Sequence, residues 1–159
     1  MIQRRNSKQI QIGNIKIGGG APISVQSMTN TDTRDVKSTL KQINNMAEYG
    51  CELVRLAILN PEAADAVREI KKLSPLPLIA DIHFDYRLAI KCIENGIDAL
   101  RINPGNIGKE ENIKKVVSLA KTNNIPIRIG INGGSLEKDL EQSDMPLSEK
   151  MVTSALKHH

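Results

Sequence analysis

The chain has 159 residues, 40% apolar and 25% charged, which suits one ordinary globular domain with a buried core. It contains no run of about 18 apolar residues, which excludes a membrane-spanning helix, and its polar start "MIQRRNSKQIQIGN" is not a secretory signal. The net charge of +4 is concentrated in Arg4, Arg5, Lys8 and Lys16, and with one Phe and two Tyr the chain lacks the basic stripe and stacking aromatics of a nucleic-acid binder.

The first element expected is a small hairpin in "QIQIGNIKIGG", where Ile10, Ile12, Ile15 and Ile17 alternate with polar residues across Gly13-Asn14. A rhythm of short apolar strand, loop and amphipathic helix follows. "PISVQS" (22–27) reads as the first strand, with a helix from about Asp35 to Tyr49 closed by Gly50. "ELVRLAI" (52–58) is the second strand; Asn60-Pro61-Glu62 then supplies an N-cap, a proline at the first helical position and an acid in the first turn. "PLIADIH" (77–83) is the third strand, with a helix ending near Gly96. "DALRIN" (98–103) and "PIRIGIN" (126–132) are the fourth and fifth strands, separated by a helix around 109–122, and the tail from about 146 is a fifth helix.

Near-continuous apolar strands alternating with helices predict a parallel sheet covered on its faces. A full (β/α)₈ barrel takes about 250 residues. The expected fold is therefore α/β, a partial TIM-type (β/α) barrel of about the first five βα units behind an N-terminal β-hairpin. The division expected is 1–20 for the hairpin segment and 21–159 for the barrel, with the remaining barrel strands and any further domain lying beyond this sequence. Cys51 and Cys92, far apart, form neither a disulfide framework nor a metal knuckle; both read as small core residues in a reducing, cytoplasmic protein.

Three of the eight arginines, Arg55, Arg101 and Arg128, sit inside otherwise apolar strands. Ligands of parallel α/β folds gather at the C-terminal strand ends, where guanidinium forks converging on one point would grip phosphate oxygens. The alternative is that each pairs with a nearby carboxylate or snorkels outward. The loops "NPGNIG" (103–108) and "INGGS" (131–135) offer backbone N–H groups and close approach, although both are equally ordinary turns.

In "ADIHFDYR" (80–87), Asp81, His83 and Asp85 alternate and would share one strand face, an arrangement suited to metal binding or proton transfer. Asp85 reads better as the cap of the third helix. Phe84 and Tyr86 fit a packed pocket rim. The polar loop "VQSMTNTDTRD" (25–35) offers Ser27, Thr29, Asn30 and Thr31 to a hydroxylated or phosphorylated ligand, with Thr33 or Asp35 as a helix cap.

The motifs "QSMTNTDT", "LVRL", "ADIHFDYRLA", "LRINPGNIG" and "IPIRIGINGGSLEKDL", in this order from about Arg4 onward, resemble the bacterial 4-hydroxy-3-methylbut-2-enyl diphosphate synthases. That resemblance implies a TIM-type barrel binding 2-C-methyl-D-erythritol 2,4-cyclodiphosphate in the methylerythritol phosphate route to isoprenoids. It also implies a separate C-terminal domain with a [4Fe-4S] cluster, reduced flavodoxin or ferredoxin as electron donor, and a homodimer. Its diphosphate-binding arginines fall on Arg55, Arg101 and Arg128. Its polar pocket residues fall on Asp81, His83 and Asn132, with Met28, Thr29 and Asn30 nearby. Asp81 and His83 are the candidates for catalysis, and no cluster ligand is expected in this chain. The competing readings are another phosphate-handling barrel, such as an aldolase or pterin-type synthase, and an inactive anion-binding module.

Overall fold

The apolar strand segments line up side by side in a computed structural model that describes residues 5–103, 106–134 and 136–157. A hairpin of β1 (Ile10–Ile12) and β2 (Ile15–Ile17) comes first, in the register Ile10 to Ile17 and Ile12 to Ile15. Five parallel strands follow in strictly sequential order: β3 (Gln26–Met28), β4 (Leu53–Ile58), β5 (Leu78–Ile82), β6 (Ala99–Ile102) and β7 (Ile127–Ile129). Between them run α1 (Val36–Glu48), α2 (Pro61–Leu73), α3 (Tyr86–Glu94) and α4 (Glu110–Thr122), and α5 (Lys138–Glu141) and α6 (Leu147–Lys157) come after β7. Sequential order without a switch point is the barrel pattern and not the doubly wound one. This is a partial TIM-type barrel whose edges are β3 and β7.

The two faces of the sheet differ in kind. Val54, Leu56, Ile58, Leu78, Ala80, Ile82, Leu100 and Ile102 point outward, almost fully buried, into the helices. Each large side chain removed from water there stabilises the fold by roughly 1.5–3 kcal/mol. On the inner face, Leu53, Ile79 and Ala99 pack under Ile12 of the hairpin, flanked by Ile15 and Ile17. The hairpin thus plugs the N-terminal end of the strands and leaves their C-terminal end to polar residues.

Local signals explain the helix starts. Asp35 accepts from Ser38 N, Asn60 from Ala63 N ahead of Pro61, and Asp85 from Arg87 N. Three expectations need correction. The first strand is shorter than 22–27 because Val25 N is taken by the Glu52 carboxylate (2.8 Å), which interrupts the ladder of an edge strand. The fifth stops at Ile129 because the chain turns after Gly130 N donates to Ile102 O (2.8 Å). The short α5 was not foreseen, so the tail forms the sixth helix. Asp85 caps α3, as the sequence suggests, and so does not share the strand face of Asp81. Among the described residues, no helix is long and apolar enough to cross a membrane.

Candidate functional site

Strand register decides which side chains meet. Asp81 lies opposite Arg101, Arg101 opposite Arg128, and Arg55 opposite Met28, so all five occupy the inner face, one level above the plugged layer. Neighbouring strands are about 4.8 Å apart, which places the three guanidiniums on one surface.

Asp81 is their hub, with 2% of its side chain exposed. Arg101 Nη1 donates to Asp81 Oδ1 (3.0 Å), and Arg101 Nη2 donates to Gly130 O (3.1 Å). Arg55 Nε stands 3.0 Å from Asp81 Oδ2, an ionic contact, but its N–H is not aligned with any acceptor among the described residues. Arg55 Nη2 meets only the weakly accepting Sδ of Met28 (3.2 Å). His83 Nε2 lies 3.4 Å from Asp81 Oδ1 on the solvent side. Arg128 reaches across the curled sheet to Gln26 Oε1 (3.4 Å) and faces no carboxylate there.

Two guanidiniums, those of Arg55 and Arg101, therefore share one carboxylate, with Arg128 beside them on the same face. Burying Asp81 is tolerable because the cations surround it, but the pairing is unequal and the layer keeps an excess of positive charge. Buried donors left unaligned, such as Arg55 Nε, ask for a further acceptor. An anion with several oxygens can supply it.

The other residues singled out in the sequence are placed differently. Thr29 is buried, its N–H and hydroxyl both bonded to Arg55 O (3.1 and 3.5 Å), which fixes the end of β3. Asn30 forms a reciprocal pair with Gln42 of α1 (3.0 and 2.7 Å). Asn132 Oδ1 accepts from Gly134 N (3.1 Å), closing the loop after β7. Thr33 donates to Ala57 O (2.7 Å), leaving Asp35 as the cap. Phe84 is exposed and edge-on to His83, whereas Tyr86 packs on the core, so the two form no common rim. Pro104, Gly105 and Ser135 of the two glycine loops lie outside the described residues. Sequence reasoning passed over Gln26 and Gly130; the two-residue step from Gln26 to Met28 on one strand face was the available signal for the first.

Residues 7–159 match the GcpE TIM-barrel domain. The chain belongs to this family. It is 59% identical over 155 residues to 4-hydroxy-3-methylbut-2-en-1-yl diphosphate synthase (flavodoxin) of Fusobacterium nucleatum, covering 97% of this chain and 44% of that protein. The protein of the same name from Maridesulfovibrio salexigens is 58% identical over 159 residues, covering 99% and 44%. The chain thus spans less than half the length of these relatives. Among solved structures, the GcpE barrel superposes on dihydropteroate synthase of Yersinia pestis with a TM-score of 0.60 at 12% identity, covering 92% of this chain and 58% of that one. The 7,8-dihydropteroate synthase of Vibrio fischeri gives 0.58 at 13%, covering 96% and 62%. At such identities the likeness is one of fold alone.

The cysteines of this GcpE barrel do not fit an iron–sulfur cluster. Cys51 Sγ is buried and donates to Leu53 O (3.1 Å). Cys92 is fully enclosed in α3, where burial pushes its thiol up to about 12, far from the thiolate a cluster needs. No three His, Cys, Asp or Glu side chains among the described residues cluster as metal ligands.

Proposed function

We propose that Arg55, Arg101 and Arg128, organised by Asp81, form a diphosphate clamp. On this reading the chain supplies part of the barrel that binds 2-C-methyl-D-erythritol 2,4-cyclodiphosphate for reductive ring opening to 4-hydroxy-3-methylbut-2-enyl diphosphate. The observation that carries the reading is the inequality of charge: two inner-face guanidiniums on a single buried carboxylate, one with its Nε unaligned, and a third, Arg128, opposite Arg101 in the strand register. A guanidinium fork matches paired phosphate oxygens, which is why arginine and not lysine suits each position.

Opening the cyclic diphosphate breaks a carbon–oxygen bond and leaves the full negative charge on a phosphate oxygen. Cations already in place at that oxygen lower the barrier without reorganising. Arg101, fixed at both Nη atoms, gives direction; Arg128, exposed and held only by Gln26, completes the grip when ligand arrives. His83, beside Asp81 at the solvent edge, is placed to hold or pass a proton for the departing hydroxyl, and Asp81 orients it. Met28 lines the approach to Arg55. Thr29 fixes the end of β3, while Asn30 and Asn132 accept through Oδ1 and would offer a ligand oxygen their amide Nδ2 groups.

Two electrons would come from reduced flavodoxin, as in the relatives' name, or from ferredoxin, through a [4Fe-4S] cluster held elsewhere, in a cytoplasmic homodimer. Residues 1–20 would form the hairpin segment and 21–159 the barrel portion. Isothermal titration of the chain with the cyclic diphosphate tests the clamp. Binding that is abolished by Arg55→Ala or Arg101→Ala is expected; equal binding by wild type and both variants refutes it. The 159-residue chain mixed with reduced flavodoxin and substrate is expected to form no product, because its described cysteines hold no cluster.

A further inference from the structure

Arg101 is seated with unusual tightness, and the seat depends on a residue that has no side chain. Gly130 follows β7 directly, its carbonyl accepting from Arg101 Nη2 (3.1 Å) and its N–H donating to Ile102 O (2.8 Å). A Cβ at this position would overlap Arg101 Nε and lie 2.6 Å from Cζ and Nη2. The backbone does not require glycine here. Unlike Gly50 and Gly96, each with φ +83°, Gly130 does not occupy the left-handed region. The need is for space, and the atoms occupying it are the far end of one long side chain.

We propose that Gly130 is a positioning residue of the anion clamp: its missing side chain makes the slot that aims the Arg101 guanidinium at a diphosphate. This rests on the clamp proposed above. Asp81 fixes Nη1, the Gly130 carbonyl fixes Nη2, and the empty Cβ position admits Nε, so the plane of the fork is set from three sides. A methyl group would displace the guanidinium first, because the three atoms nearest to it all belong to the end of the Arg101 side chain. Specificity for a two-phosphate ligand follows, since a freely swinging cation contributes charge without direction.

The test is Gly130→Ala, with Arg101→Lys made in both backgrounds and inorganic pyrophosphate as the probe in isothermal titration. Gly130→Ala is expected to weaken pyrophosphate binding by about tenfold or more, the loss of one charge-assisted contact. Arg101→Lys should weaken binding in the wild-type background. In the Gly130→Ala background it should restore part of the affinity, because an unbranched ammonium passes the new methyl. A purely structural glycine gives no such rescue, and its absence overturns the proposal, as does wild-type affinity in Gly130→Ala. A ligand-free readout separates the slot from the clamp. The Nε–H NMR resonance of Arg101, assigned by its disappearance in Arg101→Lys, should move in Gly130→Ala while the backbone amide pattern of the helices stays. An unmoved resonance, or a lost amide pattern, overturns the slot. A wild-type chain that takes up no pyrophosphate overturns the clamp, and with it this role for Gly130.

Discussion

Aspartate meets arginine in two ways in this molecule. At the surface, Asp32 and Arg34 form a closed fork, with Arg34 Nε and Nη2 on both carboxylate oxygens (2.6–3.1 Å) and half of each side chain exposed. Asp85 and Arg87 repeat it at the start of α3 (2.8–3.0 Å). Both pairs are two residues apart, matched one to one, and hold each carboxyl below its ordinary range through the guanidinium hydrogen bonds. Asp81, almost closed to water itself, instead draws the part-buried Arg55 from β4 and Arg101 from β6, with the exposed Arg128 alongside. The local pairs cancel their charge, and their carboxylates otherwise serve the local backbone, as Asp85 does in capping α3. The long-range cluster cannot cancel, and the surplus is what an anionic ligand would use.

The largest effect that sharpens this contrast belongs to Asp81→Ala. Removing the hub leaves two part-buried guanidiniums uncompensated, which is expected to cost about 3–5 kcal/mol in denaturant unfolding. A cost no greater than that of Asp85→Ala would erase the distinction between the two settings. Next comes Arg101→Ala, which frees Asp81 Oδ1 and Gly130 O; it should lower pyrophosphate affinity about tenfold or more and also lower stability. Arg128→Ala separates binding from folding. Its side chain is exposed and, among the described residues, tied only to Gln26, so stability should stay within about 0.5 kcal/mol while pyrophosphate binding weakens at low salt. A variant that binds as the parent does would reduce the clamp to two arginines.

Much of the architecture was legible because periodicity and cap chemistry are local. Asn60-Pro61, Asp85 and the Ile alternation around Gly13-Asn14 each announce an element with no help from distant residues. The edge strands β3 and β7 were overdrawn because what shortened them, the Glu52 carboxylate on Val25 N and the turn at Gly130, acts between segments. Asp81 and the arginines were visible as charges in apolar strands, and register then put them on one face. Asn30 illustrates the limit: its partner Gln42 lies on the next helix, and no spacing rule distinguishes that pairing from a ligand contact. Gly130 was passed over as part of the fifth strand because the side chain that fills its space comes from another strand.

The smallest expected effect tests the surface half of the comparison. The Arg34 fork lowers the Asp32 carboxyl from 3.8 to about 2. A carboxyl depressed by folding stabilises the native state above its unfolded value, and that contribution disappears as pH falls through the folded one. Asp32→Asn should therefore melt slightly below the parent at pH 7, and the two curves should converge between pH of about 4 and about 2. Because the pair is bathed in solvent, raising the salt to about 1 M, where screening acts over about 3 Å, should close most of the gap at neutral pH. The Asp81 cluster, shielded from counterions, should keep its Asp81→Ala difference under the same salt. If both differences shrink alike, burial is not what separates the two kinds of pair, and the inner face holds its charges no differently from the surface.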